Sequence, residues 1–232
     1  FGSWAGVEGT PDVLLSFMDE YEIEKTVLCA KDHNGNEGVL EAWRQHPDRF
    51  WPLVYVNPTE GAEECRRKIE RYVDQEGFKG IKMNPLRHAF VADDEMVDPV
   101  MEEAEKRGIP VFIHSGHPPY SLPWSIALLA ERFPKVKVVM IHMGHGHGVY
   151  IDAAIKMAKR HPNIYLEMSG MPMGVKIKQA YEEVGADRIM FGTDFPFHHP
   201  SVEIQKVLTC GLPEAAQEDV FYNNVKKLFG NM

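Results

Sequence analysis

The 232-residue chain predicts an α/β fold, a TIM-type barrel, because a short β-rich run followed by an amphipathic helix recurs along its length and polar residues end several of those runs. Seven runs carry the pattern, over residues 25–30, 51–57, 79–84, 109–114, 136–142, 163–169 and 188–194. No linker separates them, so a single domain over residues 1–232 is expected. That length is close to the roughly 250 residues such a barrel takes. A doubly wound open sheet is the competing fold, but the glycine-rich turn that usually follows its first strand is missing. Thr10 as N-cap and Pro11 in the first turn start the first helix, with Val13, Leu14, Phe17, Met18 and Tyr21 on its apolar face. The stripes Ala62, Cys65, Ile69, Tyr72 and Met96, Val97, Val100, Met101, Ala104 mark later helices and read as core. A helix stands where a barrel should begin with a strand, so the barrel lacks its first strand. Its open edges, at 25–30 and 188–194, are expected to lie under a subunit partner, as in a homo-oligomer, or under the N-terminal segment.

Composition narrows the function. Lys plus Arg number 25 against 34 Asp plus Glu, a formal charge of -9 without long like-charge blocks, which argues against nucleic acid. No apolar run approaches the roughly 20 residues of a membrane helix. Cys29, Cys65 and Cys210 are odd in number and far apart, and read as reduced, buried thiols of a cytoplasmic protein.

Barrel enzymes keep their chemistry at the carboxyl ends of the strands. The runs IPVFIH, VVMIH and MFGTD end in His114, His142 and Asp194. Period-two alternation sets each opposite its neighbour, with Ile113 and Ile141 covering the sheet from outside, so all three should converge on the mouth. A lone strand-end histidine is usually structural, but three polar ends on separate strands point to a shared metal or acid–base site. Lys82 and Asn84 should also face inward. A buried lysine is costly unless paired, so Lys82 either holds a substrate carboxylate or phosphate, helped by Arg87 and His88, or pairs with an inward Glu167. His117, Tyr120 and Trp124 follow in a proline-rich loop as pocket walls, Trp124 being equally placed to start a helix.

The stretches GFKGIKMNP (77–85), GIPVFIHSG (108–116), VVMIHMGHG (138–146) and DRIMFGTDFPF (187–197), with HPDRF (46–50) and NNVKKLFG (223–230), resemble the amidohydrolase-related family. That family includes hydrolases and nonoxidative decarboxylases. The resemblance implies that His114 and Asp194 bind a catalytic divalent metal, usually zinc, and that His142 handles protons and orients the metal-bound water. The family's first-strand His-x-His pair has no counterpart before His114. A catalytic zinc takes three protein ligands plus water. Either the true N-terminus has been lost, or His145, His147, His198 or His199 substitutes.

The expected activity is therefore a metal-dependent hydrolase acting on a small amide, lactone or ester through metal-activated water. His142 and Asp194 are its catalytic residues, and Lys82, Asn84, Arg87, His117 and His145 bind a small-molecule substrate, a carboxylated one included. Two alternatives stand beside it: a nonoxidative decarboxylase on the same site, and a non-catalytic barrel that has lost its first-strand ligands.

Overall fold

A computed structural model describes residues 2–4 and 7–230, with side chains from residue 9 onward. It opens on an antiparallel hairpin, β1 (Gly2–Trp4) and β2 (Val7–Gly9), separate from the main sheet. Seven further strands follow: β3 (Thr26–Cys29), β4 (Phe50–Tyr55), β5 (Gly80–Met83), β6 (Val111–His114), β7 (Val138–Ile141), β8 (Ile164–Glu167) and β9 (Ile189–Met190). They pair in parallel in chain order, and the sheet curls into a partial barrel with helices between its strands. All seven fall on the predicted runs.

The helices are α1 (Pro11–Glu20), α2 (Asn36–Gln45), α3 (Ala62–Ile69), α4 (Pro85–His88), α5 (Asp98–Arg107), α6 (Pro123–Arg132), α7 (Gly148–Arg160), α8 (Gly174–Val184), α9 (Pro200–Thr209), α10 (Glu214–Glu218) and α11 (Asn224–Phe229). The cap of α1 is as expected, Thr10 accepting from the Val13 N–H at 3.3 Å. Among the described residues no helix is long and apolar enough to cross a membrane.

Alternation along the strands splits the core into two layers. Outward residues such as Ile81, Met83, Val111, Ile113, Val138 and Met140 pack with Val100, Met101, Ile126 and Leu129 of the helices. Inward residues Leu53, Phe112, Val139 and Met190 gather around Leu228 and Phe229 of α11. The Phe229 ring stacks on Trp51 at 5.5 Å and on Phe112 at 6.1 Å, so the last helix plugs the barrel interior.

That segment also bears on the 188–194 edge, which the sequence leaves to a subunit partner or the N-terminal segment. There the Phe191 N–H donates to the Val220 carbonyl at 2.9 Å, and the Asn224 amide donates to the Ile189 carbonyl at 2.7 Å. The chain's own C-terminal segment thus satisfies the backbone groups an unpaired edge would leave open. At the same side, Phe17 of α1 packs on Phe195 at 5.7 Å, joining the first helix to the loop after the last strand.

Candidate active site at the barrel mouth

On β6, Phe112 points in and Ile113 out, which brings His114 inward as alternation requires. On β7 the expectation fails. Val139 and Ile141 line the interior, so Ile141 does not cover the sheet from outside, and regular alternation would send His142 outward. Left-handed backbone at His142 (φ 67) and Met143 (φ 35) breaks the strand and turns the imidazole back, 4.9 Å from the His114 ring. Glu167 of β8 holds this turn, accepting from the His142 N–H at 3.1 Å, the Ser169 N–H at 2.8 Å and the Ser169 hydroxyl at 2.9 Å. Asp194 lies beyond β9, again at positive φ (49). Gly192 makes room for Glu167, because a Cβ there would sit 2.0 Å from Oε1. Gly116 (φ 92) likewise lets the loop after β6 approach the loop after β7, where a Cβ would lie 2.3 Å from the Gly144 carbonyl oxygen.

Four imidazoles gather at the mouth. His114 Nε2 and His117 Nδ1 are 2.9 Å apart, and the His145 ring lies 4.3 Å from that of His117 and 5.5 Å from that of His142. His142 Nδ1 is 2.8 Å from the Ser169 carbonyl, which can only accept, so Nδ1 carries the proton and Nε2 is left with its lone pair. Burial, followed by the nearby Lys82 charge, pushes His142 down to about 3 and His114 further still. Burial also lowers His117 and His145. Neutral imidazoles are therefore the rule here at neutral pH.

Asp194 is pushed up to about 7, first by burial and then by the Glu167 carboxylate. His198 stands between two acids, 3.9 Å from Asp194 Oδ2 and 3.9 Å from Glu203 Oε1. Glu203, 1% exposed, is ion-paired to Lys206 at 2.6 Å. Lys82 is buried, and desolvation lowers its pKa against the opposing pull of Cys29, Asp194 and Glu167. Among the described residues its ammonium has no ion pair or hydrogen bond. The structural Lys82–Glu167 pair does not form, because Glu167 is already engaged by three donors.

Lys82, His117 and His145 thus join His114, His142 and Asp194. Of the other residues singled out in the sequence, His198 lies beside Asp194, whereas Asn84, Arg87, His147, His199 and Trp124 make other contacts. Asn84 caps α4, accepting from the Arg87 N–H at 3.1 Å, and Arg87 is exposed. His147 caps α7, accepting from the Val149 N–H at 3.4 Å, and His199 caps α9 through Ser201. Trp124 starts α6 with its edge toward Tyr150 at 6.2 Å. Sequence reasoning missed Ser169 and Glu203 outright. Ser169 follows an inward strand-end glutamate by two residues, a readable signal, whereas Glu203 looks like any solvated helix residue.

A divalent cation suits this chemistry: neutral imidazole nitrogens beside buried carboxylates are typical donors. The number of donors falls short, since among the described residues no group of three or more His, Cys, Asp or Glu is arranged to hold a metal ion.

The chain matches the family described as Amidohydrolase over residues 15–230. Gamma-resorcylate decarboxylase of Polaromonas sp. is 24% identical, across 94% of this chain and 86% of its own. An uncharacterised TIM-barrel protein from Bordetella bronchiseptica superposes with a TM-score of 0.82 at 23% identity, covering 96% of this chain and 86% of that one. A dihydroxybenzoic acid decarboxylase from Polaromonas sp., with bound manganese and the inhibitor 2-nitroresorcinol, gives 0.74 at 22% identity, covering 94% and 85%. At such identities the structural likeness establishes the fold, which is the TIM-type barrel the sequence predicts.

Proposed function

The chain belongs to the amidohydrolase family, and from that premise we propose that it is a nonoxidative decarboxylase of a hydroxylated aromatic acid. This replaces the hydrolase expected from sequence. The curated relative is a decarboxylase, as is the manganese-bound structural neighbour. Zinc, the expected metal, has no support from that neighbour.

Lys82 is the observation that carries the reading. A buried lysine on which Asp194 and Glu167 act only from a distance, with no direct ion pair among the described residues, is unstable unless something anionic joins it. A substrate carboxylate supplies that partner, and desolvating it against Lys82 next to Asp194 prepares the bond to the ring for cleavage. In the reaction the ring carbon bearing the carboxylate takes a proton, the bond between that carbon and the carboxyl carbon breaks, and its electron pair stays on the ring as carbon dioxide leaves. Asp194, raised to about 7 by burial and the Glu167 carboxylate while no cation is bound, would supply the proton from the oxygen that does not hold the cation. His142 Nε2, kept unprotonated by the Ser169 contact, accepts a hydrogen bond from a ring hydroxyl and raises electron density at the carbon to be protonated. His117 and His145 wall the site as neutral donors and acceptors. A divalent cation held in part by His114 and Asp194 would polarise the acid's oxygens when bound.

The test is product analysis with manganese added, comparing dihydroxybenzoates with aryl esters and lactones. Release of carbon dioxide and the matching phenol in equal amounts supports the proposal. Cleavage of esters or lactones with intact acids would return the site to the hydrolase reading. Lys82→Met should raise KM for the acid about tenfold or more, the loss of one buried charge pair.

A further inference from the structure

Across the mouth from His142 and Asp194, three side chains meet that the reaction does not use. His33 lies in the turn after β3, Tyr55 ends β4, and His88 ends α4. The His33 and His88 rings are 5.2 Å apart, and the Tyr55 and His88 rings 5.7 Å. His33 Nδ1, the Tyr55 hydroxyl and His88 Nε2 are all buried, and none has a hydrogen-bond partner among the described residues. Buried polar atoms are nearly always paired, so three such atoms in one cluster call for a ligand. Tyr72 shows the ordinary case, its hydroxyl donating to Glu37 at 2.6 Å.

We infer that His33, Tyr55 and His88 form a second polar subsite that recognises a neutral hydroxyl group of the aromatic substrate, remote from its reacting carboxylate, and so sets which hydroxylated acid is accepted. The inference rests on the proposed decarboxylation of an aromatic acid.

Three observations fit it. Tyr55 shares the strand parity of the inward Trp51 and Leu53, and its register partner on β5 is Lys82, while its buried ring joins the larger core cluster. Its position is fixed by Asn36, 2% exposed, whose amide donates to the Tyr55 carbonyl at 2.9 Å and accepts from its N–H at 2.8 Å. The donor and acceptor pattern suits a hydroxyl, which offers one proton and accepts two; a phenol and two imidazoles of adjustable tautomer return that set. Finally, the cluster itself presents uncharged groups, with Arg87 acting on Tyr55 and His88 and Glu60 lying 3.9 Å from His33 Nε2 at its margin. Burial keeps the Tyr55 hydroxyl protonated and holds His88 below its ordinary value. No group of three or more His, Cys, Asp or Glu among the described residues is arranged for a metal.

Calorimetric titration of manganese-supplemented protein with benzoate, salicylate and a series of dihydroxybenzoates tests this. Wild type should bind one dihydroxybenzoate about tenfold tighter than the acids lacking that hydroxyl. In Tyr55→Phe and in His88→Asn the affinities should converge. Because its hydroxyl has no hydrogen-bond partner among the described residues, Tyr55→Phe should not lower Tm. A lowered Tm with the preference intact would mark a structural cluster and overturn the inference. Binding without any hydroxyl preference in wild type overturns the inference alone, and no binding of any aromatic acid overturns it together with the proposed function.

Discussion

Gly192→Ala probes the construction of the site where a single methyl group decides the outcome. The added Cβ would stand 2.0 Å from Glu167 Oε1 and 2.9 Å from its Cδ, inside the limit of 3.0 Å below which real Cβ contacts essentially never fall. The carboxylate must retreat by about 1 Å, yet it is 9% exposed and tied to His142 and Ser169 by three hydrogen bonds. Overpacking costs about 1–3 kcal/mol, and a buried acceptor pulled off its donors costs about as much again. A loss of about 3 kcal/mol is expected, or roughly 6–12 °C in Tm for a domain of this size. Thermal melts and urea unfolding measure it, and turnover should fall with it, since Glu167 holds the His142 turn. Glu167→Ala removes the clashing group, so the double variant should be more stable than the sum of the single losses predicts, by about 1 kcal/mol or more. A neutral Gly192→Ala, or strictly additive effects, would refute the steric reasoning.

Phe229→Ala should cost about 3–5 kcal/mol in urea unfolding, because a ring 1% exposed between Trp51 and Phe112 leaves a cavity in the barrel interior; a loss below 1 kcal/mol would mean α11 is no plug. His145→Ala should impair turnover, whereas His147→Ala, removing a long cap of α7, should lower stability by less than about 1 kcal/mol and leave turnover intact. His142 sits at about 3 in the fold against an ordinary 6.5, so between those values the unfolded chain takes up a proton the native one refuses, and stability falls as pH drops. In chelated protein, His142→Asn should shrink the stability lost between about pH 7 and pH 4 by roughly 3 kcal/mol, measured by urea unfolding at both values.

The frame was legible because its signals are local. Each strand is a short apolar run, and the parity that buries Phe112 also delivers His114 to the mouth. His142 reaches the mouth by a route other than the expected alternation, which would have turned it out: two left-handed residues, stabilised by a glutamate on the next strand, bring it back. No periodicity reports such a turn. The cover over β9 was equally hidden, since Phe229 at the end of a short amphipathic helix looks like any surface anchor until its ring is found against Trp51. Asn84, His147 and His199 are helix caps in the structure, a role that a polar residue near a strand end takes as readily as substrate binding and that the sequence does not distinguish from it. Hydrolysis and decarboxylation could not be separated from sequence, as both use the same histidines and aspartate. Only the burial of Lys82 without a partner, together with the relatives, tips the balance.

The most direct test of carbon–carbon cleavage at this mouth is isotopic. Wild-type protein with manganese, incubated in heavy water with a dihydroxybenzoate, should release carbon dioxide and yield a phenol with a single deuterium at the carbon that lost it, seen by mass spectrometry and proton NMR. Asp194→Asn should abolish that labelled product while Phe229→Ala, assayed below its melting temperature, retains it. Recovery of unlabelled acid alongside hydrolysed ester or lactone, with no carbon dioxide, would contradict the decarboxylase assignment.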